Sequence, residues 1–221
     1  MQRQMMLLWG SHGVARRVLR AIKGNVLATG VHMMGLLILA FAQSDSLVIQ
    51  NVLEKLLPFA GSVEIALISM FFLAVSLYLW ARPIGIQEFF IKFFASVLTL
   101  VGLIFLSGIL LATFFAMLPA TVGFLVDAVI YALMAAYTTC LFARIAASES
   151  FNFRFSRRIF IAVVVMTMAQ HVLGFALDFG LSSLSASFVV AFLQVLTTTA
   201  ISTFIFVAAM VAFARHRLKS K

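Results

Sequence analysis

The sequence predicts an all-α fold: a polytopic membrane helical bundle of six transmembrane helices, with amphipathic N-terminal and outer interfacial helices. Three observations carry that expectation. Of the 221 residues, 64% are hydrophobic and 10% charged, with a mean hydropathy of +1.14, whereas about a quarter of the residues of soluble domains are charged. A soluble core this apolar would have no surface. Long apolar stretches recur along the whole chain, and the basic residues between them fall on one side of the membrane those stretches imply.

Crossing about 30 Å of hydrocarbon at about 1.5 Å per residue takes about 20 residues. The candidate spans are 25–42, 63–81, 93–117, 121–143, 159–180 and 187–213. The third, fifth and sixth run on without Lys or Arg, and the fourth is continuous apart from Asp127. The first is short and contains His32, and the second opens at Glu64.

Charge gives an independent check, because short cytoplasmic loops collect Lys and Arg. With a cytoplasmic N-terminus, that side holds Arg3, Arg16, Arg17, Arg20 and Lys23, then Arg82 and Lys92, then Arg144, Arg154, Arg157 and Arg158, and finally Arg215, Arg217, Lys219 and Lys221. The outer side holds Lys55 alone. Losing any one span would scramble this division, so the expected arrangement is six spans with both termini cytoplasmic, in a cell membrane of the bacterial inner-membrane type. A basic leader, an apolar stretch and Ala40-Phe41-Ala42 also resemble a cleaved secretory signal within residues 1–42, but this leader is longer than an ordinary signal n-region. The domains expected are a basic amphipathic cytoplasmic leader (1–24), a transmembrane domain (25–214) and a basic cytoplasmic tail (215–221).

Two segments outside the spans read as surface helices. Ser44, Asp45 and Ser46 offer N-cap oxygens, and Leu47, Val48, Val52, Leu53, Leu56 and Leu57 then share one face until Pro58, which predicts an outer interfacial helix. In the leader, Val14, Val18, Leu19 and Ile22 interleave with arginines, a pattern that suits anionic lipid headgroups and equally a solvated basic leader. Between the fourth and fifth spans, Phe151, Phe153 and Phe155 alternate with polar residues beside Arg154, Arg157 and Arg158. Such a segment dips its rings among lipid headgroups, or docks a protein partner.

Packing inside the membrane is signalled by small residues at four-residue spacing, Gly108, Ala112 and Ala116 in span three and Ala128, Ala132 and Ala136 in span four. The candidate chemistry lies in the polar residues within spans, since an ionisable group there costs on the order of 2.5 kcal/mol or more and is turned inward. Asp127 sits about 9 Å inside the outer boundary of its span by helical rise. Gln170 and His171 on span five and Gln194 on span six come out at comparable depth, with Thr197, Thr198 and Thr199 nearby. Asp127 and His171 have the side chains of a proton or cation relay lined by Gln170 and Gln194. The same groups serve equally to fix helix register by bonding one another.

Several function classes find no support. His32 and His171 differ in depth, which disfavours a haem held between two histidines, and no helix presents ligand spacing for a metal. With one cysteine, Cys140, no intramolecular disulfide forms. No nucleophile elbow, His-Glu-x-x-His or phosphate-cradling glycine loop occurs, so no cofactor and no enzyme activity are expected. The formal charge of +9 sits in short clusters between apolar runs, which fits lipid headgroups and not nucleic acid. The expected function is a small-solute transporter or permease, or the membrane subunit of a transport or export complex. The alternative is an accessory or scaffold membrane protein of a larger assembly, and either would associate with protein partners or with further copies of itself.

Overall fold

The structure, a computed structural model, describes residues 11–42, 62–81, 85–115, 120–147, 157–181 and 188–219. The described residues form seven α-helices and no strand: α1 (Ser11–Gly24), α2 (Val26–Ala42), α3 (Ser62–Trp80), α4 (Ile86–Phe115), α5 (Ala120–Ala146), α6 (Arg157–Leu181) and α7 (Phe188–Lys219). Each of the six apolar segments is therefore a helix. Several of these helices outrun their apolar stretches, α4 and α7 by the most. α4 starts at Ile86 because Glu88 and Lys92, four residues apart, pair at 2.6 Å and extend a helix whose apolar run begins later. α7 continues through Arg215, Arg217 and Lys219, cations that complement the negative end of the helix dipole.

Among the described residues, two stretches are long and apolar enough to cross a membrane, Arg157–Gly174 in α6 and Val189–Ala214 in α7. A third is obtained if the bent pair Ala15–Gly24 and Val26–Phe41 is one span, and Leu67–Trp80 and Ala132–Ala146 are shorter apolar helices. The outer helix expected over 47–57 lies outside the described residues, as do Phe151, Phe153, Arg154 and Phe155.

The bend between α1 and α2 measures 98° and is built by one residue. The Asn25 side chain donates from Nδ2 to the Ala21 carbonyl at 3.3 Å, satisfying an acceptor that the end of α1 leaves open. Its own carbonyl accepts both the Thr29 backbone N–H and the Thr29 hydroxyl, each at 2.9 Å. Asn25 thus closes one helix and opens the next. α1 docks through Val18, which is 0% exposed, with Ala21 and Ile22 packed beside it, while Arg16, Arg17, Arg20 and Lys23 are exposed.

Among the described helices, α2 and α3 form the most extensive contact. Their approach is set by Gly35, where a Cβ would meet the Ser69 carbonyl oxygen and Leu73 Cγ at 3.1 Å. Two serines of α3 then bond backbone of α2: Ser69 Oγ donates to the Gly35 carbonyl at 2.8 Å, and Ser76 Oγ to the Ala28 carbonyl at 2.9 Å. α5 lies at the centre, touching α3, α4, α6 and α7. Ala132 and Ala136 of the expected small-residue spacing are buried, in line with Cys140 and Ala143, whereas the side chains of Ala128, Ala112 and Ala116 and the surroundings of Gly108 lie outside the described residues. Phe93 of α4 stacks on Phe142 of α5 at 6.1 Å, and Arg144 of α5 lies over the Phe213 ring of α7 at 5.9 Å. α7 closes the bundle against α1, α2, α5 and α6.

Candidate functional site

Buried and half-buried polar groups lie where α7 meets α6 and where it meets α2, and on α6 beside the first of these contacts. On the α6 side, Gln170 donates from Nε2 to Ser202 Oγ at 2.6 Å and to the Thr198 carbonyl at 3.3 Å. One residue on, His171 Nδ1 lies 2.8 Å from the Thr167 carbonyl. A carbonyl only accepts, so Nδ1 is the donor in this bond. The Thr167 hydroxyl itself donates to the Val163 carbonyl at 2.8 Å, so both side chains are tied to the backbone of α6.

On the α2 side, His32 is 3% exposed and stacks on Phe206 of α7, with ring centroids 4.1 Å apart and planes at 16°. Its Nδ1 is buried without a hydrogen-bond partner among the described residues, as is Trp80 Nε1. An unmatched polar nitrogen in apolar surroundings is destabilising by about 1–3 kcal/mol, and it is the kind of group that a functional site keeps in spite of that. Thr203, also buried, donates to the Thr199 carbonyl at 2.9 Å along the same helix. Ser69 and Ser76 belong instead to the α2–α3 contact, through their bonds to α2.

Of the residues expected from sequence to form a relay, Gln170 falls on the α6–α7 contact, and His171 bonds the backbone of its own helix. Gln194 lies on α7 one turn before Thr198, whose hydroxyl donates to the Gln194 carbonyl at 3.1 Å. Asp127 belongs to α5, which packs against both α6 and α7, and its side chain lies outside the described residues. Within the threonine run, Thr197 is exposed and bonds its own helix at Leu193, whereas Thr199 is buried. Arg157 and Arg158 are the exposed first residues of α6.

Sequence reasoning missed Ser69, Ser76 and Ser202, and gave His32 no role. The signal for the serines was present, since single hydroxyls in otherwise apolar helices favour helix–helix contacts. Among the described residues, no three His, Cys, Asp or Glu side chains come together as metal ligands. Comparison with family models, with curated proteins and with solved structures finds no match to this chain.

Proposed function

We propose that the protein crosses the membrane six times with both termini cytoplasmic, and that it acts in transport, as a small-solute permease or as the membrane subunit of a transport or export complex. The six-span reading is supported by helix length: α4 has 30 residues and α5 has 27, about 45 Å and 40 Å by helical rise, enough for the hydrocarbon. Exposed Ile91, Phe94, Leu98, Val101 and Phe105 on α4, and Ile161, Val165 and Val172 on α6, suit contact with acyl chains, since soluble monomers rarely expose such large apolar faces.

The observation that carries the transport reading is the fixed imidazole on α6. In this reading the His171 imidazole, oriented by the bond between its Nδ1 and the Thr167 carbonyl, is the ring of the relay. Asp127, on the helix packed against α6, supplies the carboxylate of the coupling pair, with Gln170 and Gln194 as polar lining. Transport here is a matter of polar positions in helix contacts and requires no enzymatic step.

The Gln170–Ser202 bond favours a second reading, a register lock in a non-transporting accessory or scaffold protein whose segment 151–158 docks partners. Asp127→Asn and His171→Gln separate the two in proteoliposomes loaded with a pH-sensitive dye. In a relay, each substitution abolishes proton flux while the protein remains monodisperse in detergent. In a register lock, the same substitutions break up the folded species and the unaltered protein moves no protons.

A further inference from the structure

We propose that the exposed face of α1 is a binding site for anionic phospholipid headgroups, and that an occupied site holds α1 against the end of the bundle. The inference rests on the membrane reading above and is independent of transport. Arg16, Arg20 and Lys23, at i, i+4 and i+7, share one face of α1, and all three are exposed. Arg17 is set apart, because its Nε donates back to the Gly13 carbonyl at 3.1 Å.

Leu19, three residues after Arg16 and four before Lys23, borders this basic face and is 53% exposed. The opposite face packs on the bundle, with Val18 fully buried and Ala21 and Ile22 partly buried against the core, so Leu19 is left outside that contact. What it fits is the boundary between headgroups and acyl chains.

The bend fixes the depth. Before Asn25 the exposed positions include every Arg and Lys of α1, and directly after it Val26 and Leu27 are 66% and 68% exposed. The exposed surface therefore changes from basic to apolar at the residue where the chain turns by 98°. A helix lying in the headgroup layer and continuing at right angles into hydrocarbon has this step in polarity. An acidic protein partner accounts for the cations and leaves Leu19, Val26 and Leu27 unexplained.

Because Val18 ties α1 to the bundle, lipid that binds the docked helix stabilises the fold by linkage. The test is a thermal melt of the full-length protein in uncharged detergent micelles doped with phosphatidylglycerol, with phosphatidylcholine, with inorganic phosphate or with polyglutamate. Phosphatidylglycerol raises the melting temperature and the other three do not. In the variant Arg16→Gln/Arg20→Gln/Lys23→Gln, the apparent affinity for phosphatidylglycerol falls about five-fold per cation removed.

On the unaltered protein, raising salt to about 0.5 M, where the Debye length is a few ångströms, removes most of the shift. That measurement stands even if the triple variant fails to fold. Equal shifts with phosphatidylcholine, phosphate or polyglutamate, a triple variant that keeps its response, or a salt-insensitive shift would each overturn the assignment. None of these outcomes bears on proton flux through Asp127 and His171.

Discussion

Gly35 shows how one missing side chain sets the spacing of two helices. A methyl group there meets the Ser69 carbonyl oxygen at 3.1 Å, and backbone yields less readily than the end of a side chain. Gly35→Ala should therefore push α3 away, weaken the Ser69 bond and destabilise the protein by about 1–3 kcal/mol, read as a lower melting temperature. Gln170 invites a different measurement. Since its amide reaches both Ser202 and the Thr198 carbonyl, the cycle of Gln170→Leu, Ser202→Ala and their combination should give a coupling of about 0.6–1.7 kcal/mol. A coupling of zero would mean that the two side chains contribute separately to the α6–α7 contact.

For individual helices, α1 offers the clearest prediction because its attachment is local. Asn25→Ala removes the bond to the Ala21 carbonyl at a cost of about 1 kcal/mol. Val18→Asp places a charge where no exposure remains. Both should loosen α1, and trypsin should cleave faster between Arg16 and Lys23 than in the unaltered protein. α5 carries its own probe: Cys140 is buried within the alanine ridge, so a maleimide should modify it only after denaturation.

The six apolar helices were legible in the sequence because a run of about twenty apolar residues is a strong signal. Their partners were not. Ser69 and Ser76 bond to the carbonyls of Gly35 and Ala28, groups that every residue possesses, so no sequence feature marks the acceptor. His32 stacks on Phe206, one of 24 phenylalanines, and nothing in the local pattern of either helix singles out that pair. The depth of Gln170 and His171 could be counted along a helix, but the meeting of Gln170 with Ser202 depends on how α6 and α7 rotate against each other.

At the scale of the molecule, the six-span reading makes a topological prediction. In a Cys140→Ala background, cysteines introduced as Ser46→Cys and Ser182→Cys should react with a membrane-impermeant maleimide applied to intact cells, whereas Ser148→Cys should react only after the cells are broken. Labelling of Ser148→Cys from outside would reverse the orientation and remove the basis of the charge argument.

α7 touches α1, α2, α5 and α6, and it follows all of them in sequence. Until α7 has been made, His32 lacks the Phe206 ring on which it stacks, and the four helices lack the partner they share. Packing of the described helices is therefore expected to finish only once Phe188–Lys219 has been synthesised.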